Sequence, residues 1–118
     1  MKLPIFSFEG YDLIVFETPE HAESFVEPAF VDLGSSYDAD GQLILFETDG
    51  RITRIRETGE LQPESLRAAL LATLSQVGAS ASPDADLDEL KRDAEERFRY
   101  APPRTVLQWL RDRLKGHS

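Results

Sequence analysis

The chain reads as a single α+β domain, an antiparallel sheet of about four to five strands in the order β-β-α-β-β-β followed by three helices. Three observations predict it. Two Asp-Gly pairs, Asp40-Gly41 and Asp49-Gly50, bracket the most strand-like run of the sequence. Two more strand-like runs, 3–8 and 11–16, precede a short helix signal at Thr18-Pro19-Glu20. From Pro63 onward the apolar residues repeat at helical spacing.

The first strand carries Leu3, Ile5, Phe6 and Phe8, with Pro4 tolerated only near a strand end. In the second, Tyr11-Asp12-Leu13-Ile14-Val15-Phe16 is an unbroken β-branched and aromatic run, which predicts burial on both faces. Thr18 caps the helix that follows, Pro19 suits its first position and Glu20 favours its positive end. Ala22, Phe25 and Val26 form its apolar stripe, and Pro28 interrupts or ends it.

A three-stranded meander then spans 35–39, 42–48 and 51–56. Asp-Gly between apolar runs signals two-residue hairpin turns. With Asp49-Gly50 as one turn, Phe46 faces Thr53 and Ile44 faces Ile55. With Asp40-Gly41 as the other, Tyr37 faces Ile44. One sheet face then bears Tyr37, Ile44, Phe46, Thr53 and Ile55 and packs on the first helix. The opposite face bears Asp38, Leu43, Leu45, Glu47, Ile52, Arg54 and Arg56, and either the later helices or a partner must cover it.

The clearest helix is 63–77, where Leu66, Leu70, Leu74 and Val77 make one stripe and Gly78 is the stop. A small-residue linker near 78–83 leads to a helix over 84–99 with an acidic first turn and Leu87, Leu90, Ala94 and Phe98 on one face. Pro102-Pro103 breaks the chain before a last helix, 104–115, with Val106, Leu107, Trp109, Leu110 and Leu114. At 118 residues this is one domain, with 1–57 the sheet and first helix and 63–115 the C-terminal helices.

Charge narrows function further than composition does. The net charge is −9, but residues 1–50 carry one base, Lys2, against eleven acids, a net of −10. Residues 100–118 carry Arg104, Arg111, Arg113 and Lys115 against Asp112. An acidic field repels nucleic acid and steers basic partners. No cysteine is present, so there is no disulfide framework and no thiolate metal site. No signal peptide and no run that could span a bilayer is visible, and a cytoplasmic protein without membrane contact is expected.

No catalytic signature is expected either. Ser36, Asp38, Asp40, Gly41 and Glu47 partly match a calcium loop, but a serine holds the first position and Ile44 the ninth, and hairpin turns explain the same residues. His21 and His117 are the only histidines, too few for a zinc or general-base centre, and His21 is expected to pair with a neighbouring carboxylate. No phosphate loop or nucleophile elbow exists, so no cofactor and no metal is expected. Glu20, Glu23 and Glu27 share one helical face at i, i+3 and i+7, where like charges repel. With Asp38, Asp40 and Asp49 at the hairpin tips they form the candidate partner-binding set.

Residues 11–28, with Tyr37-Asp38-Ala39-Asp40-Gly41 after them, resemble small bacterial proteins encoded beside polymorphic toxins, the immunity proteins that bind and block a cognate toxin domain. The resemblance implies a cytoplasmic, non-enzymatic, acidic inhibitor and carries over no residue roles; the acidic first half adds the expectation that the toxin is basic, such as a nuclease. The alternative is a scaffold or regulatory subunit that self-associates through the Leu43/Leu45/Ile52 face or the C-terminal helices.

Overall fold

A computed structural model of the chain describes residues 1–9, 12–28, 31, 34–78 and 82–101. They form an α+β fold with β1 (Ile5–Glu9), β2 (Asp12–Phe16), α1 (Pro19–Phe25), β3 (Ser35–Tyr37), β4 (Gln42–Thr48), β5 (Thr53–Leu61), α2 (Pro63–Gln76) and α3 (Leu87–Phe98). The five strands make one sheet in the order β2-β1-β3-β4-β5, antiparallel throughout. The expected helix 104–115 lies outside the described residues, as do residues 79–81 of the expected linker.

Each face of the sheet has its own core. On one, Phe6, Phe8, Leu13, Val15 and Tyr37 pack against Leu66, Leu70 and Leu74 of α2 and Leu90 and Ala94 of α3. On the other, Ile5 and Phe16 pack against Ala22 of α1, with Ile14, Phe46 and Ile55 around them. The β2 run is therefore buried on both faces although β2 is a sheet edge. Its outer side is bridged by Arg99, and Tyr100 N–H donates to Val15 C=O at 2.9 Å.

The register differs from the two-residue-turn expectation at both Asp-Gly pairs. A type I′ turn needs positive φ at Asp as well as Gly, and no residue other than glycine has positive φ among those described. At the first pair, Gly41 N–H donates to Asp38 C=O and Gly41 sits at φ +83, a type I turn closed by a glycine bulge. Tyr37 consequently faces Leu43, not Ile44, and joins the core beneath α2 and α3. At the second pair, Asp49 accepts N–H bonds from Arg51 and Ile52, which lengthens the loop, so Thr48 pairs with Thr53 and Phe46 with Ile55. That is a shift of two residues, so Ile44, Phe46, Thr53 and Ile55 keep the α1 face.

β5 is longer than expected, because a bulge around Gly59 lets it continue to Leu61, opposite Gln42. Val77 is also corrected. It caps the C-terminus of α2 at 49% exposure, and Thr73 takes its place in the buried stripe. The helices cover the second sheet face in part: Leu43 packs against the α2–α3 core, while Leu45 and Ile52 stay 38% and 48% exposed.

Candidate functional site

The candidate acids divide into those used by the fold and those left at the surface. Asp38 belongs to the fold. It is 1% exposed, and its Oδ1 accepts from the backbone N–H of Asp40 and of Gln42, both at 2.9 Å. Its Oδ2 accepts from Lys2 N–H at 3.1 Å and from Gln42 Nε2 at 2.9 Å. Burial pushes the Asp38 carboxyl up, but the Gln42 amide and the three backbone N–H groups outweigh it and hold the group below the ordinary aspartate range. Asp38 is thus a turn-building residue withdrawn from any partner surface, contrary to its place in the sequence-derived set.

Asp49 has a similar local duty at an exposed tip, where the N–H groups of Arg51 and Ile52 lower its carboxyl. Asp40 is exposed, 3.6 Å from Lys2 Nζ. The calcium-loop positions do not converge: Ser36 shares a hydrogen bond with Ser7 at 2.9 Å, and Glu47 pairs with Arg56 at 3.3 Å on the opposite face. Among the described residues no group of three or more His, Cys, Asp or Glu is placed to hold a metal ion.

Of the glutamate row, Glu23 is a structural residue in part. Its Oε2 accepts the backbone N–H of Ile55 at 2.9 Å, on edge strand β5. Thr53 Oγ1 adds a bond to Val26 C=O. These two bonds pin the α1 segment to β5, and the first occupies an edge N–H that would otherwise invite another strand. The helix also ends earlier than the i, i+3, i+7 spacing assumes. Val26 is extended, at ψ 106, so Glu27 stands beyond the last turn. The structure still brings Glu20, Glu23 and Glu27 together, around a shallow concavity that also holds Ile52, Arg51 and Arg54. The surface thus mixes three acids with two bases and is not uniformly acidic. His21, expected beside a carboxylate, instead sets its ring edge-on to Tyr100, 5.7 Å between centroids.

A second and larger concavity, about 650 Å³, adjoins the first and shares Val26 and Glu27 with it. Ile14, Phe46, Phe25 and Val26 give it an apolar lining, and Glu9, Asp12 and Glu27 supply carboxylates. Phe25 is 45% exposed although its ring stacks near Phe16 and Tyr100, at 5.6 and 5.4 Å. Residue-level reading of the sequence missed Glu9 and Asp12. Their signal is the short spacing across Gly10-Tyr11, which sets them opposite one another once the two runs are taken as a hairpin. Glu9, Asp12, Glu20 and Glu27 form no ion pair with a described residue.

Among the described residues no helix is long and apolar enough to cross a membrane. Comparison with protein-family models, curated proteins and solved structures finds no match to this chain.

Proposed function

We propose that this chain is a non-enzymatic binding protein for a basic protein partner, and that it serves as an immunity protein blocking a cognate toxin. The observation that carries this reading is the surface along α1 and the segment after it. Glu20 and Glu27 stand exposed there without an ion pair to a described residue, around a concavity that also holds the exposed apolar side chain of Ile52, with Arg51 and Arg54 beside it. Protein interfaces combine an apolar centre with a charged rim in this way. A strongly acidic face accelerates encounter with a basic partner and makes the rate salt-sensitive. A toxin that acts on nucleic acid suits such a surface best, since its own phosphate-binding site is basic.

The test is co-expression with the toxin domain encoded beside the gene, followed by stopped-flow association across ionic strength. The reading expects growth rescue and an association rate that falls about tenfold between ~20 and ~200 mM salt. The double variant Glu20→Lys/Glu27→Lys then associates at least about tenfold more slowly at low salt, with a flattened salt dependence. Rescue and rate unchanged in that variant would sink the acidic-surface reading.

A second reading, self-association, rests on the exposure of Leu45 and Ile52. A monomer by sedimentation equilibrium at about 1 mM, a concentration at which even weak specific pairs form, excludes it.

A further inference from the structure

We infer that the concavity of about 650 Å³ beside α1 seats an apolar side chain of a basic protein partner, flanked there by the carboxylates of Glu9, Asp12 and Glu27. The inference deepens the function proposed above and rests on it. Three observations lead to this occupant.

The volume falls within the range of about 300–1,000 Å³ that takes a drug-sized group, room for a large side chain together with part of the segment that carries it. The lining of Ile14, Phe25, Val26 and Phe46 is apolar, and the hydroxyl of Ser7, which also lines it, is already bonded to the Ser36 hydroxyl at 2.9 Å. Apolar burial then supplies affinity for the inserted group, and the carboxylates supply it for the bases that flank it. Phe25 and Val77, two of its lining residues, are 45% and 49% exposed, and an insert would cover them.

The charge is placed where it costs stability. Glu9 and Asp12 are direct cross-strand partners in the β1–β2 ladder. Like charges so placed repel and weaken the hairpin. Glu27 comes from a third element, the segment after α1, so carboxylates line the concavity both at the end of the β1–β2 hairpin and after α1. None of them pairs with a described base. A lysine or arginine on each side of the inserted residue relieves that repulsion, and an acidic or neutral insert does not. The complementary partner segment is thus one aromatic or large aliphatic residue between basic ones.

The test is an amide chemical-shift titration of the full chain with a lysine–lysine–tryptophan–lysine–lysine peptide as probe. The same peptide with glycine in place of tryptophan, and one with glutamates in place of lysines, are the controls. The expected result is shifts centred on Ser7, Ile14, Val26 and Phe46 with the first peptide only. The double variant Glu9→Gln/Asp12→Asn changes exposed positions, so the fold stays intact, and its affinity for the probe drops about fivefold.

Equal binding of the glutamate peptide, or equal shifts from the glycine peptide, overturns the inference. Shifts confined to Glu20, Ile52 and Arg54 also overturn it, while leaving the basic-partner function standing; that function fails separately, in the rescue and salt assay. Two other occupants are excluded by the same spectra. Concentration-dependent broadening of these amides without peptide assigns the concavity to a second copy. Movement of the same amides on Trp109→Ala in the full chain assigns it to residues 104–115. Either outcome overturns a separate partner.

Discussion

Asp38 is the residue whose removal tests the fold most sharply. Its carboxylate collects four donors, of which Lys2 and Asp40 belong to exposed residues and both Gln42 donors to a buried one. In Asp38→Ala the exposed N–H groups can turn to water, whereas the two Gln42 donors lose their partner in a buried setting. An unsatisfied buried donor costs about 1–3 kcal/mol, so the substitution is expected to cost about 3 kcal/mol. Asp38→Asn keeps the Oδ1 acceptor for Asp40 and Gln42 but presents an amide N–H₂ to the donors that met Oδ2. It should cost less, about 2 kcal/mol. Urea unfolding followed by far-ultraviolet circular dichroism reads both. With a slope of about 1.5 kcal/mol/M, the midpoint falls by about 2 M for Ala.

The pH dependence follows from the direction of the shift. The Asp38 carboxyl is lowered in the folded chain, so its stabilisation is complete above the ordinary aspartate value near pH 4. It is lost as pH falls from there through the lower folded-state value. The stability gap between the wild type and Asp38→Asn is therefore widest near neutrality and narrows below about pH 4. A midpoint for Asp38→Ala within about 0.5 M of wild type, or a gap that widens in acid, would refute this account of the turn.

Three further outcomes are expected. Gly41→Ala should cost about 3 kcal/mol and Gly50→Ala about 1 by the same urea assay. Both have positive φ, but a Cβ at position 41 would sit 2.7 Å from Pro63 Cα, whereas nothing lies within 4 Å at position 50; equal costs would contradict the close approach. Leu70→Ala, at a fully buried position in the α2 stripe, should lose about 3 kcal/mol on calorimetric unfolding, and a loss under about 1 would place Leu70 outside the core. Glu23→Ala should lose about 1 kcal/mol and speed hydrogen exchange at the Ile55 amide, while Glu20→Ala stays within about 0.5; the reverse order would undo their division into fold and surface.

Local signals were legible wherever the cause is local. Thr18 caps α1 through His21 N–H, and Leu66, Leu70 and Leu74 are buried as their spacing requires, whereas Asp86, expected inside the first turn of a helix from 84, is instead the cap of α3 through Glu89 N–H. The continuous apolar run of β2 correctly marked a strand covered on both faces. The candidate site was half legible. Glu20 and Glu27 are at the surface, but Glu23 and Asp38 are partly or wholly taken up by backbone N–H groups that come from 32 residues and from up to 36 residues away. Spacing along one helix carries no information about such donors.

The sequence by itself determined the element types, the order of strands and helices along the chain, and the strongly acidic first half, because propensity, capping and charge act over a few residues. Only the tertiary structure decided that β1 lies inside the sheet between β2 and β3, that Tyr37 faces α2, and which acids remain at the surface. The physical reason is that an Asp-Gly pair is compatible with more than one turn. At Asp38 the choice is made by Lys2 and Gln42, whose donors are satisfied only when the carboxylate turns inward. Glu9, Asp12, Glu20 and Glu27 stay at the surface, the first two and Glu27 lining the larger concavity and Glu20 and Glu27 the smaller one along α1.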